Sequence, residues 1–235
     1  MIQRVGLFVS CLIDQFYPRV GFDTVRVLRK AGLDVVVPPD QTCCGQPAFN
    51  SGYHDQARPV LEATVRCLEQ ADVDAIVVPS GSCAAMMRVF SRELIGERAD
   101  VFDRTFELSE FLVHQMKIED LGARFDGRVF YHDSCHLLRG LGEASAPRTL
   151  LRSVAGLELV ETPEPECCGF GGTFSVKMPD ISQAMLGDRV GVIEASGADA
   201  VVSADMGCLM HISDGLRRAG RSIRSLHLAE VLVSS

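Results

Sequence analysis

Short apolar runs alternate along the chain with longer segments of helical period. Arg4 to Ser10 (RVGLFVS) reads as a buried strand, because consecutive apolar and β-branched residues suit a strand covered on both faces. Pro18 then opens a helix whose apolar face is Val20, Thr24, Val27, Leu28 and Ala31, and Gly32 ends it. Leu33 to Val37 is a second strand, closed by Pro38-Pro39. A helix follows between His54 and Ala71, and Asp74 to Pro79 is a third strand. Strands joined by helix-length connections imply βαβ units, and so a parallel sheet with right-handed crossovers. The same order returns with strands at Arg128 to His132, Leu157 to Val160 and Asp199 to Ser203.

This return is a duplication. Asp74-Ala75-Ile76-Val77 is answered by Asp199-Ala200-Val201-Val202, and Leu108-Ser109-Glu110-Phe111-Leu112-Val113 by Leu228-Ala229-Glu230-Val231-Leu232-Val233. Of the nine cysteines, those at 11, 43, 44 and 83 recur at 135, 167, 168 and 208, leaving Cys67 without a counterpart. Two copies are too few for a solenoid. The expected fold is α/β, with two similar halves related by internal duplication, each a small parallel sheet of three strands flanked by helices. The first cysteine-rich module spans residues 1–122 and the second 123–235, meeting at a pseudo-twofold interface.

Composition narrows the function. With 235 residues, 47% hydrophobic and 23% charged, the chain has the make-up of a globular protein. A net charge of -8 with no basic stripe argues against nucleic-acid binding. The longest apolar runs, such as Ala75 to Val78, are strand-sized, so no membrane span is expected. The first ten residues lack the apolar core and cleavage site of a signal peptide, which points to a cytoplasmic chain. In a reducing compartment many regularly spaced cysteines are metal ligands or redox thiols rather than disulfides.

Each of the eight paired cysteines follows the carboxyl end of a strand. In a parallel sheet those ends share one edge, where open α/β folds bind their ligands. Two four-thiol sites follow, Cys11, Cys43, Cys44 and Cys83 in the first half, and Cys135, Cys167, Cys168 and Cys208 in the second. Gly45 and Gly169 allow the sharp turn by which two adjacent cysteines face one centre. Four thiolates suit a [4Fe-4S] cluster or a structural zinc. The single-double-single spacing over about 70 residues is unlike the two short pairs of a zinc ribbon. It favours one or two [4Fe-4S] clusters, with zinc possible in one half and metal-free redox thiols as the third option. Cys67 shares a helical face with Val60, Thr64, Leu68 and Ala71 and is expected in the core. His132 and His136 flank Cys135 and are either packed or hydrogen-bond donors beside a cluster. Arg139 and Lys177 lie near second-half cysteines, as solvent-exposed charges or carboxylate holders. Neither a dinucleotide-binding G-x-G-x-x-G nor a G-x-S-x-G elbow is present.

The pattern of one Cys, then Cys-Cys-Gly, then a closing Cys, twice over nearly the whole chain, resembles the cysteine-rich CCG family of the heterodisulfide reductase type. Three stretches are similar to the branch of that family that serves bacterial lactate utilization. They are Ser10-Cys11-Leu12-Ile13-Asp14-Gln15-Phe16-Tyr17-Pro18, Thr42-Cys43-Cys44-Gly45-Gln46-Pro47-Ala48-Phe49-Asn50-Ser51-Gly52 and Cys167-Cys168-Gly169-Phe170-Gly171-Gly172-Thr173-Phe174-Ser175. The resemblance implies an iron-sulfur electron-transfer subunit of a system oxidising L-lactate to pyruvate. Such a subunit works with other iron-sulfur subunits as an oxidoreductase component rather than as a stand-alone enzyme. One departure stands out. The family closes with Cys-x-x-Cys, whereas this chain has Ser80-Gly81-Ser82-Cys83 and Asp205-Met206-Gly207-Cys208, so each half offers four cysteines, and an ordinary cubane or a site completed by Ser80 or Asp205 is expected. Two other functions fit the same residues: a heterodisulfide reductase-like thiol/disulfide redox enzyme, and a zinc-bound non-enzymatic scaffold subunit.

Overall fold

The computed structural model describes residues 2–96, 99–161 and 166–235. Two four-stranded sheets share one topology. Strands β1 (Arg4–Leu7), β2 (Asp34–Val36), β3 (Ala75–Val78) and β4 (Thr105–Glu107) are ordered β2-β1-β3-β4, and β5 (Arg124–Tyr131), β6 (Ala155–Val160), β7 (Ala200–Ser203) and β8 (Arg224–His227) are ordered β6-β5-β7-β8. Every pair is parallel, with Val5 opposite Val35 and Ala75 in the first sheet and Val129 opposite Leu159 and Ala200 in the second. The inner strands β3 and β7 are buried throughout, as strands covered on both faces must be.

Each sheet has four strands, not the three expected. The added strands β4 and β8 are only three and four residues long and run directly into helices through capping boxes, Glu107 with Glu110 and His227 with Glu230. The repeated segments beginning at Leu108 and Leu228 mark those helices, but the strand residues before them, Thr105-Phe106-Glu107 and Arg224 to His227, share no identity for the repeat to reveal. The first strand is also shorter than expected, because the backbone N–H of Val9 leaves the ladder and donates to Gln41 Oε1 at 2.7 Å. Strand β5 begins four residues early, through an irregularity at Gly127, whose φ is 147°.

The core accounts for the way the halves meet. Val5, Leu7, Ala75 and Val77 from one sheet and Val129, Tyr131, Ala200 and Val202 from the other belong to a single buried cluster. Residues of the helices Pro18–Lys30, Ser145–Ser153 and Leu228–Leu232 fill it. The opposite face of the first sheet, with Ile76 and Val78, packs against Leu61, Val65 and Leu68 of the helix His54–Glu69. The opposite face of the second sheet, with Phe130 and Val201, packs against the helices Pro179–Ala195 and Met206–Arg218. Cross-contacts at the strand ends are reciprocal. The helix Gly81–Ala85 that follows β3 meets the π-helical turn His136–Gly140 that follows β5, and the helix Cys11–Phe16 that follows β1 meets Met206–Arg218, which follows β7. Gly81 is required at the first crossing, since a Cβ there would lie 2.7 Å from Leu137 Cβ.

Candidate metal centre

All eight paired cysteines sit just past strand ends, and all eight line one cavity of about 320 Å³. Cys11 opens the helix Cys11–Phe16, Cys43 and Cys44 form the loop before the helix Gln46–Phe49, and Cys83 lies in Gly81–Ala85. Cys135 caps His136–Gly140, Cys167 and Cys168 follow β6, and Cys208 lies in the first turn of Met206–Arg218. Burial repeats along with sequence. The inner cysteines Cys44, Cys83, Cys168 and Cys208 are buried, and the outer ones Cys11, Cys43, Cys135 and Cys167 are half-buried. In the first half the Sγ atoms of Cys44 and Cys83 are 3.4 Å apart and those of Cys11 and Cys43 3.8 Å.

The Cys-Cys-Gly loops are built identically. Gly45 and Gly169 have φ of 84° and 85°, in the left-handed region that glycine enters without steric cost. That turn aims the glycine N–H back at the first sulfur of the pair, at 3.4 Å from Cys43 Sγ in one half and 3.4 Å from Cys167 Sγ in the other. Hydrogen bonds shared with the neighbouring Cys11 and Cys44 thiols, helped by the Gly45 N–H, hold Cys43 down to about 3. The same arrangement of Cys135, Cys168 and Gly169 holds Cys167 down to about 2. Those partners are pushed the other way by the same shared hydrogen bonds and by burial. Cys208 is lowered to about 7, first by its hydrogen bond with Cys168 and then by His132. Each half therefore keeps a thiolate ready at neutral pH, which is the form that ligates metals.

Ser80 and Asp205, one of the two ways the sequence offers to complete the sites, line the cavity and act as helix caps. Ser80 Oγ accepts the Cys83 N–H at 3.3 Å. Asp205 Oδ1 accepts the Gly207 N–H at 3.0 Å, while its Oδ2 crosses to the other half, accepting the Ser82 N–H at 2.8 Å and the Ser80 hydroxyl at 3.3 Å. Their oxygens are engaged in ordering the turns that carry Cys83 and Cys208. Four thiols in each half face the cavity, with backbone N–H groups on the outer sulfurs, and a donor set dominated by sulfur fits iron-sulfur clusters or zinc better than an oxygen-seeking cation.

The remaining candidates divide. His132 is buried, and a ring nitrogen lies within 4.8 Å of the sulfurs of Cys168 and Cys208, although its place in the sequence points to Cys135 as its neighbour. His136 Nδ1 is 3.5 Å from Cys135 Sγ. Neither Arg139 nor Lys177 is among the residues lining the cavity, and the Lys177 ammonium lies 4.7 Å from the centre of the Tyr53 ring. Cys67 is not a core residue: it is half-buried and its thiol donates to Pro39 O at 2.8 Å. The core face of its helix runs through Ala57, Leu61, Thr64, Val65 and Leu68; it shares Thr64 and Leu68 with the expected face but leaves Val60, Cys67 and Ala71 half-buried. Sequence reasoning missed Gln46, Pro47, Asn50, Phe170, Thr173 and Val176, which line the cavity. All lie within ten residues after a Cys-Cys-Gly, a position that would have pointed to them. The hydroxyls of Ser51 and Thr173 hydrogen-bond across the two halves at this rim.

The sequence model of the cysteine-rich domain family designated CCG matches residues 5–88 and again 129–213. Full-length relatives are close. Lactate utilization protein A of Shouchella clausii is 50% identical over 98% of this chain and 99% of its own length. Its namesakes in Geobacillus sp. strain WCH70 and Geobacillus kaustophilus are 47% and 48% identical, over 98% and 97% of this chain and 99% and 98% of theirs.

Proposed function

Since the chain belongs to the cysteine-rich CCG-domain family, we propose that it is an iron-sulfur electron-transfer subunit of a bacterial system oxidising L-lactate to pyruvate. The observation that carries this reading is the meeting of two duplicated four-cysteine sets on one cavity. Cys11, Cys43, Cys44 and Cys83 would hold one [4Fe-4S] cluster, and Cys135, Cys167, Cys168 and Cys208 a second. Such a cluster, when bound, takes up and releases single electrons. Oxidation of a 2-hydroxy acid to a 2-oxo acid releases two electrons, one for each centre.

The chain's own residues prepare the centres. The Gly45 and Gly169 amides steady the outer sulfurs. Leu12, Pro47, Phe170 and Val176 give the cavity an apolar lining, which limits water around the sulfurs and so shapes their potential. Two centres opening on one space support passage of electrons between them without a path through solvent. Other iron-sulfur subunits would deliver electrons to the pair and remove them, in keeping with the name of the full-length relatives.

Iron, acid-labile sulfide and zinc counted on anaerobically prepared wild type, Cys44→Ser and Cys168→Ser test this reading. Brown protein with iron and sulfide in near-equal amounts is expected, with each variant losing the share of its own half. Protein that stays colourless and iron-free after anaerobic reconstitution overturns it.

A further inference from the structure

The two halves differ at one place beside their inner cysteines. Phe8 and His132 are duplicates: the Phe8 N–H donates to Val77 O at 2.9 Å and the His132 N–H to Val202 O at 2.8 Å, so each prolongs the first strand of its sheet by the same bond. Phe8 is buried in the cluster that contains Cys44 and Cys83. His132 brings a ring nitrogen within 4.8 Å of the sulfurs of Cys168 and Cys208. It is 1% exposed, and its Nε2 has no hydrogen-bond partner among the described residues. A buried polar atom without a partner destabilises the fold. The phenyl ring of the first half fills the equivalent place with no such cost, so packing alone does not call for an imidazole.

What the second half gains is a donor next to sulfur. Resting on the iron-sulfur reading above, we propose that His132 donates a ring N–H to the sulfur ligands of the second centre. That hydrogen bond holds the centre at a higher reduction potential than the first centre, where Phe8 offers no donor. Hydrogen bonds to cluster sulfurs draw off negative charge and favour the reduced state. Electrons then run from the Cys11, Cys43, Cys44 and Cys83 centre toward the Cys135, Cys167, Cys168 and Cys208 centre, and the duplicated fold has a direction. His132 acts here as a positioning residue, through sulfur rather than on the substrate.

The test is anaerobic EPR-monitored redox titration of the reconstituted chain, with the two signals assigned through Cys44→Ser and Cys168→Ser. In wild type the second centre should have the higher midpoint. His132→Phe, which copies the side chain the fold already accepts at position 8, should lower the second midpoint toward the first and leave the first in place. His132→Gln, which keeps an N–H donor, should recover part of the shift, and Phe8→His should raise the first midpoint. A second midpoint unmoved in a brown His132→Phe protein overturns the inference and leaves the iron-sulfur reading standing. Strong nitrogen hyperfine coupling of the kind given by a metal-bound imidazole also overturns it. A wild type that takes up no iron sinks both.

Discussion

At the scale of single residues, Glu107 shows how duplication can leave one copy with an unusual burden. It and His227 are counterparts, each fully buried and each the N-cap of the helix after the last strand. His227 places Nε2 3.1 Å from Pro79 O in the other half, and its burial depresses it to about 4, so the neutral ring donates there. Glu107 Oε2 accepts the N–H groups of Ser109 and Glu110 and the Ser109 hydroxyl, but Oε1 has no partner among the described residues. Burial pushes its carboxyl up to about 8. The folded chain thus keeps this proton to higher pH than the unfolded chain, which releases it near 4.5. The stability tied to the neutral form is full below 4.5, falls as pH rises above that value and is gone once pH has passed about 8. Urea unfolding of the metal-free chain should show midpoints that fall over this window, and Glu107→Gln, neutral at every pH, should flatten the slope and unfold at higher urea than wild type at pH 9. Parallel pH profiles for the two proteins would refute the account.

At the scale of elements, the Cys-Cys-Gly loop is the unit on which the site depends, and its two copies differ in how tightly they are held. A Cβ on Gly45 would come within 3.1 Å of Ala57 O, while one on Gly169 would lie 2.7 Å from Ser182 O and 3.0 Å from Met185 Cβ. Forcing an L-residue into the left-handed region costs about 1–2 kcal/mol by itself. The second clash with backbone adds to that. Gly169→Ala should therefore lower the melting temperature more than Gly45→Ala, and should strip metal from the second half selectively, as metal counting on each variant would show; equal losses would place the strain elsewhere. The sequence made these loops legible because Cys-Cys-Gly recurs at one offset in both halves, and the strands before them because buried parallel strands are continuous apolar runs. It hid β4 and β8, whose residues Thr105-Phe106-Glu107 and Arg224-Ser225-Leu226-His227 form no continuous apolar run, and it misplaced Cys67 because neighbouring helical stripes lie only tens of degrees apart. It also held no sign that His132 lies with Cys168 and Cys208, a contact that closes across strands far apart in sequence.

At the scale of the molecule, the halves are joined through the very turns that carry the inner cysteines. Gly81 donates its N–H to Ala204 O at 3.1 Å, Ser82 donates to Asp205 Oδ2 at 2.8 Å, and Ser80 meets the same oxygen at 3.3 Å. Asp205 thus belongs to the second half yet caps the turn of the first that holds Cys83, and its other oxygen caps its own turn, which holds Cys208. Ser80 stands at the duplicate position, and a second carboxylate there would set two acceptors against each other at close range; a hydroxyl supplies the proton the pair needs. Replacing Asp205 removes a cap on each side at once. Each lost cap costs about 0.5–2 kcal/mol, and the Ser82 N–H is left without its acceptor. Asp205→Ala should lower the melting temperature and weaken metal retention in both halves, even though the substitution lies in one of them. Ser80→Ala removes the acceptor for the Cys83 N–H and one donor to Asp205 Oδ2 but leaves the Gly207 N–H capped, and should weaken the first half more than the second. Metal counting after chelator challenge, in the Cys44→Ser and Cys168→Ser backgrounds, separates the two halves. If Asp205→Ala loosens only the centre of its own half, the coupling of the two turns through this carboxylate is wrong.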